Sequence, residues 1–247
     1  MNNFYLEKII NEKLKTHKFQ DYAPNGLQIE GSKHIKRIVT GVSACQDLLD
    51  QAVKLNASAI IVHHGYFWNN TERIIKNIQR KRLKTIISND INLYSWHLPL
   101  DAHPELGNNI HIAKKLNIKI EGYLSPFIPW GTFKDGISGQ KLFKKIIKMY
   151  NRTPFYEHHQ CDSKIFKIAW CSGKGQGFMK QIDLVHLDAF LTGEVSEETI
   201  YIARENHLHF FSIGHHASER DGIIALGNWL SEKYNLDVTF FDTNNPI

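Results

Sequence analysis

Residues 38–65 have the sequence IVTGVSACQDLLDQAVKLNASAIIVHHG, in which two apolar runs enclose an amphipathic stretch. The first run predicts a strand, and residues 47–55 predict a helix because their apolar side chains fall on one side. The second run, residues 59–62, is too short for a helix and ends directly in His63 and His64. A strand, a helix and a strand in this order predict parallel pairing through a crossover helix.

The same alternation extends along the chain. An N-terminal helix is predicted from apolar residues at helical spacing, and residues 91–96 predict another strand. In the second half we predict strands at 165–170, 189–192, 208–213 and 236–241, and helices at 177–185, 197–205 and 221–234. The fold class is therefore α/β, with two similar α/β lobes whose sheets are mostly parallel and face each other.

The lobe boundaries are predicted from turn residues. Residues 123–139 contain two prolines and three glycines, which is typical of a connecting excursion. We therefore assign residues 1–122 to the first lobe and residues 140–247 to the second, within one compact domain overall.

Composition limits the class of protein. Hydrophobic residues make up 42% and charged residues 22%, close to globular averages, which excludes a disordered tail or a coiled coil. No segment approaches the roughly 18 apolar residues of a membrane span. The net charge of +5 comes from scattered lysines and fits either a mildly basic surface or an anionic partner. Cys45, Cys161 and Cys171 are odd in number and lack CxxC spacing, so we expect a reducing, cytoplasmic location.

Histidines and carboxylates follow the predicted strands, at the edge where parallel sheets bind ligands. His63 and His64 end one strand, and His97 follows another, with Asp101 four residues later. Near the C-terminus, the first histidine of the motif GHHASE follows a strand and a glutamate lies four residues beyond it; these are His215 and Glu219. Imidazole and carboxylate ligands without thiolate suit iron, zinc or manganese and argue against a purely structural zinc site.

Two neighbouring ions are predicted from the adjacent histidines, because successive side chains diverge on an extended backbone. A single histidine at a strand end is more often structural, and the metal hypothesis depends on the whole set. The remaining histidines lack this positional support and are interpreted as structural or exposed: His103, His111, His216 and the pair His158-His159.

A glycine-rich turn, residues 171–177, follows another predicted strand with the sequence CSGKGQG. Its backbone N–H groups are candidates to bind phosphate, but it lacks the P-loop spacing, and a tight turn that lets a helix approach the sheet remains an equal alternative. Glu194 ends the next strand and is either an acid in the pocket or a carboxylate favoured by a helix N-terminus.

Five segments carry a resemblance to a known family. They are PNGLQIEG (24–31), SAIIVHHGYFW (58–68), YSWHLPLDAHPELGNN (94–109), DAFLTGEVSEETI (188–200) and GHHASERDGIIALGNWL (214–230). The chain resembles the YbgI-like proteins, labelled in bacteria as type-two homologues of GTP cyclohydrolase I, over nearly its whole length. The resemblance implies two α/β lobes with a dinuclear metal site between them, and a toroidal homohexamer.

The resemblance also assigns residues. It implies that His63, His64, Asp101, His215 and Glu219 are the ligands of two divalent metal ions. His97 matches a histidine close to the metals, which is either a ligand or an acid/base residue.

Two hypotheses of function follow. The leading one is a hydrolase that acts on a nucleotide, GTP or a relative, through a metal-activated water, with His97 and Glu194 as proton-transferring catalytic residues. The alternative is a non-enzymatic, metal-loaded binding or scaffold protein linked to DNA maintenance or metal handling. Salt-dependent DNA binding would favour the alternative.

Overall fold

The computed structural model describes residues 1–69, 71–158, 163–181 and 186–247. Cys161 and His159, both considered above, lie outside the described residues. The strands are β1 Gly26–Ile29, β2 Arg37–Ser43, β3 Ala59–His64, β4 Asn92–Ser95, β5 Lys119–Ser125, β6 Ile128–Ser138, β7 Phe155–Glu157, β8 Lys164–Cys171, β9 Ala189–Thr192, β10 His209–Ser212 and β11 Asp237–Phe240. The α-helices are α1 Asn3–Leu14, α2 Gln46–Lys54, α3 Asn77–Ser88, α4 Leu98–Ala102, α5 Asn108–Leu116, α6 Gly139–Tyr150, α7 Glu197–Glu205, α8 His215–Ser218 and α9 Arg220–Tyr234.

The chain forms two compact units. The first comprises Met1–Gly107 and Arg220–Asn244, and the second comprises Asn108–Glu219 and Asn245–Ile247. Each unit contains one sheet, so the predicted α/β class with two sheets is confirmed.

The first unit is built on the sheet β1-β4-β3-β2-β11. Its strands are parallel except β1, which pairs antiparallel with β4. Alternate residues of the central strands enter different cores: Ile38 and Ile61 pack with α1 and α9, whereas Val39, Ile60 and Val62 pack with α2 and α3. Helices thus cover both faces, which explains why these strands read as continuous apolar runs.

The second unit is built on the sheet β5-β6-β8-β9-β10-β7. Its centre, β8-β9-β10, is parallel, and the outer pairings are antiparallel. Trp170, Leu191 and Phe211 pack on one face with α5 and α6, and Phe190 and Phe210 pack on the other with α7. The sheet is therefore mixed, whereas the sequence predicted mostly parallel pairing.

Several bounds differ from the prediction. The expected excursion at residues 123–139 consists largely of β5 and β6, an antiparallel hairpin of the second sheet. The last helix and strand belong to the first unit, because α9 packs on β2 and β11 pairs with β2 in parallel. The helix predicted at residues 177–185 is a 3₁₀ helix at Gln176–Lys180, and residues 182–185 lie outside the described part. In that described part, no helix combines the length and apolarity of a membrane span.

Candidate metal centre

His63 and His64 are the last residues of β3, a strand that is paired on both sides. His63 is completely buried, and its Nδ1 is 3.0 Å from the carbonyl oxygen of Trp96. Its Nε2 is 3.5 Å from Asp101 Oδ2. His64 Nδ1 is 3.0 Å from Ser43 Oγ, on the neighbouring strand β2. The sheet therefore fixes the orientation of both imidazoles.

The two rings do not diverge as the sequence argument expected. Their centroids are 4.6 Å apart with an interplanar angle of 47°. Both histidines lie within β3, where consecutive Cβ atoms alternate between faces, so the approach of the two rings comes from the packing of their side chains. Side-chain divergence consequently gives no argument for two ions, and a dinuclear centre remains an expectation from the resemblance.

His97 precedes α4, where Pro99 occupies the first turn. Its Nδ1 is 2.8 Å from Asp21 Oδ1, and Asp21 Oδ2 accepts hydrogen bonds from the backbone of Leu98 and the amide of Asn25, each at 2.9 Å. Burial raises the pKa of Asp21, but the hydrogen bond and charge of His97 and the other donors outweigh it and lower this pKa to about 2. An ionised carboxylate thus holds the imidazole in one orientation.

Three histidines converge in the first unit. His63, His64 and His97 each offer a ring nitrogen, and these nitrogens lie within 4.8 Å of one another. Asp101 lies in α4, where its backbone N–H donates to the carbonyl of His97 at 3.2 Å. The structure therefore brings four of the residues predicted from the sequence into one unit with an imidazole and carboxylate donor set.

His215 and Glu219 lie in the second unit, at the two ends of the short helix α8. His215 Nε2 is 3.1 Å from Glu219 Oε2, and His215 Nδ1 is 2.7 Å from Glu194 Oε1. Burial lowers the pKa of His215, but the hydrogen bonds and charges of Glu219 and Glu194 outweigh it and raise this pKa to about 9. Glu219 is only 3% exposed.

The glycine-rich turn packs directly against this pair. Gly173 has a φ of +61°, and a Cβ at this position would lie 2.0 Å from Glu219 Oε1. The backbone N–H groups of Ser172, Gly173 and Gly175 donate to side chains of the same unit. These donors are therefore engaged within the protein, which favours the tight turn over the phosphate cradle.

All four candidate histidines share one arrangement. In His63, His64, His97 and His215, Nδ1 lies within 3.0 Å of another protein group, so that Nε2 is the nitrogen each ring would present to an ion. Metal-binding histidines commonly have this support, which fixes the tautomer and the ring orientation. The imidazoles and buried carboxylates therefore fit a divalent metal ion by their chemistry.

The residues that hold His97 were not predicted from the sequence. Asp21 and Asn25 lie in the loop before β1, and Asn25 Oδ1 also accepts the N–H of His97 at 2.8 Å. Their only sequence signal is a group of polar residues in a turn, which is common in any loop. His103, by contrast, has a structural place: its Nδ1 accepts the N–H groups of Glu105 and Leu106.

Glu194 lies beside His215 rather than apart from the candidate ligands. Its other carboxylate oxygen, Oε2, accepts a hydrogen bond from Gln176 Nε2 at 3.1 Å. Burial raises the pKa of Glu194, but these hydrogen bonds and the charge of His215 outweigh it and lower this pKa. An ionised Glu194 accepts the Nδ1 hydrogen bond of His215, which is a positioning role.

The fold and the donor set define the class: an α/β protein with candidate ligand groups for a divalent metal in its histidines and carboxylates. The chain belongs to the Duf34/NIF3 (NGG1p interacting factor 3) family, whose model matches residues 1–246. The resemblance found in the sequence is thus confirmed.

Relatives match over their full lengths. A "GTP cyclohydrolase 1 type 2 homolog" of Buchnera aphidicola subsp. Schizaphis graminum is 59% identical over 246 residues, with 100% of both chains covered. The protein of that description from Escherichia coli K12 is 51% identical over 246 residues, again with 100% of both covered. A solved structure described as "Structural genomics, protein ybgI, unknown function" matches with a TM-score of 0.98, 51% identity and 100% of both chains covered.

Proposed function

We propose that this chain is a divalent-metal-dependent hydrolase that acts on a nucleotide, with His63, His64, Asp101, His215 and Glu219 as its metal ligands. The observation that carries the proposal is the support of each of the four candidate imidazoles through Nδ1. Such support orients a ligand and raises its basicity.

The protein residues have separate roles in this proposal. A divalent ion bound by imidazole and carboxylate supplies Lewis acidity and an activated water. His97, held by the ionised Asp21, holds or transfers a proton at Nε2, as expected of a general acid or base. Glu194 keeps His215 oriented through Nδ1, and its catalytic role predicted from the sequence remains part of the proposal.

The number and identity of the ions rest on chemistry and resemblance. Imidazole with carboxylate accepts iron, zinc and manganese, so the donor set does not choose among them. Two ions per chain are proposed on the family resemblance. A nucleotide substrate is proposed because relatives more than half identical to this chain bear the description "GTP cyclohydrolase 1 type 2 homolog".

The test combines metal content with turnover. Purified protein is reconstituted with manganese, iron or zinc and assayed on a panel of nucleotides. We expect turnover with at least one metal, and we expect His64→Ala and His215→Ala to lose metal. His17→Ala is the control and should keep its metal, since His17 is exposed and is not one of the proposed ligands. Absence of turnover with all three metals would remove the enzymatic proposal, and full metal content in His64→Ala would remove the ligand assignment.

A second candidate is a non-enzymatic, metal-loaded protein that binds DNA or serves in metal handling. The observation that favours it is helix α3, whose sequence NIQRKRLKTIIS has four basic residues and no acidic one. Phosphate contacts by such residues would make DNA affinity fall steeply with salt. Salt-dependent DNA binding by protein that turns over no nucleotide would favour this candidate.

We further propose a homohexameric toroid in a cytoplasmic, reducing environment, on the resemblance and the cysteine pattern. Light scattering at micromolar concentration tests the assembly, and a monomer would contradict it.

A further inference from the structure

A pocket of about 380 Å³ lies in the first unit, next to the end of β3. It is formed by the residues that follow His64 and by one side of helix α3. Small-molecule sites in proteins have volumes of roughly 300–1,000 Å³, so the pocket has room for a ligand of that class. None of the candidate metal ligands lines it.

Aromatic side chains form part of the pocket wall, namely Tyr66 and Trp68. The Trp68 ring meets the ring of His97 edge-on, with centroids 5.0 Å apart, and lies 5.9 Å from the ring of His64. Trp68 therefore belongs both to the pocket and to the surroundings of the three histidines. A ligand stacked on this indole would lie beside the candidate metal ligands.

The charge of the pocket comes from Arg82, a half-buried residue of α3. Its guanidinium carbon is 6.0 Å from the centroid of the Tyr66 ring. Within the described residues, no Asp or Glu lines the pocket and none forms an ion pair with Arg82. Among the described lining residues, the pocket thus combines a cation that no carboxylate accompanies with aromatic surface.

Gln79 adds an amide that can both donate and accept hydrogen bonds, and Thr71 adds a hydroxyl. Aromatic rings stack on nucleobases, and a guanidinium matches the geometry of phosphate oxygens. A phosphate alone would use the cation and leave the aromatic wall without a role. The combination therefore fits one molecule that has both a flat aromatic group and an anionic group.

We propose that this pocket binds the nucleotide substrate, with its base against Trp68 and its phosphate at Arg82. The inference rests on the proposed function for the identity of the substrate class, and it adds the place where that substrate is held. Trp68 and Arg82 are then specificity-determining residues outside the metal ligand set.

The test is calorimetric titration of the full chain with GMP, guanosine and inorganic phosphate, with the metal content of each sample measured. Arg82→Gln should lower the affinity for GMP by about tenfold or more and leave the affinity for guanosine unchanged, because only the charge-assisted contact is lost. Trp68→Ala should lower the affinity for both GMP and guanosine. Arg80→Gln is the matched control, since Arg80 is an exposed basic residue of the same helix that does not line the pocket.

Arg82→Lys keeps the charge without the planar fork and should restore part of the GMP affinity. Equal GMP affinity in wild type and Arg82→Gln would overturn the inference, as would an equal loss in Arg80→Gln or GMP affinity no greater than that for inorganic phosphate. Absence of GMP binding by the metal-loaded wild type would overturn it too.

These results separate the inference from the proposed function. If Arg82→Gln and Trp68→Ala leave metal-dependent turnover unchanged, the proposed nucleotide pocket is contradicted and the hydrolase proposal stands. If the protein retains no metal but binds GMP in a manner that depends on Arg82, the proposed pocket is supported and the hydrolase proposal is contradicted.

Discussion

Gly173 gives the sharpest test of how the second unit holds Glu219, one of the proposed metal ligands. The change Gly173→Ala adds a Cβ that would lie 2.0 Å from Glu219 Oε1 and 3.2 Å from His215 Nε2. Ordinary contact begins at 3.4 Å, so the carboxylate oxygen has to move by about 1.4 Å. The two oxygens of a carboxylate move together, so the contact of the other oxygen, Oε2, with His215 Nε2 would then be lost.

The expected effect follows from two magnitudes. Metal–ligand distances tolerate deviations of only about 0.2 Å, and disturbing the residues that orient a ligand lowers metal affinity by about 10- to 100-fold. The φ of +61° adds a backbone cost of about 1–2 kcal/mol for alanine, which lowers the melting temperature by about 2–8 °C in a chain of this size. We therefore expect weaker metal binding together with a modest loss of stability.

Gly177→Ala is the matched control, because Gly177 closes the same glycine-rich turn and a Cβ there meets no atom within 4 Å. Metal affinity is measured by competition with a chelator, and melting temperature is measured on metal-free protein. Gly173→Ala with wild-type metal affinity would refute the reasoning. An equal loss of metal affinity in Gly177→Ala would show that the turn acts by its flexibility and not by its contact with Glu219.

Three further predictions concern the first unit and Glu219. Asp21→Asn removes a charge-assisted hydrogen bond to His97 and should lower the free energy of unfolding by about 1–3 kcal/mol; an unchanged urea midpoint would contradict it. His97→Ala should keep the metals yet lower turnover by about 100-fold on a verified substrate, whereas metal loss equal to that of His64→Ala would make His97 a ligand. Glu219→Gln should lower metal occupancy more than His103→Ala, because His103 supports backbone N–H groups instead; equal occupancy by elemental analysis would refute this.

The α/β class was predictable because burial on both faces of a parallel strand leaves a continuous apolar run in the sequence. The strand predicted at residues 59–62 is part of β3, and its two histidines lie at the strand end, as expected. The order of strands was not predictable in the same way. β11 follows the second unit in sequence yet pairs with β2 of the first, and this pairing depends on where α9 packs.

The hairpin β5–β6 shows a second limit. Its prolines and glycines indicate breaks in regular structure. The local sequence does not show that these residues pair with a neighbouring strand. Pro129 in β6 is tolerated because the register shifts in this pairing, so the hairpin forms despite residues that usually interrupt strands.

By itself, the sequence determined which residue types follow which strands, and hence the candidates His63, His64, His97, Asp101, His215 and Glu219. Strand ends are local features of apolar periodicity, so they can be found without long-range contacts. Only the tertiary structure decided how the rings are held and aimed. The convergence of His63 with His64, and the support of His97 by Asp21, 76 residues earlier, arise from packing that has no local signature in the chain.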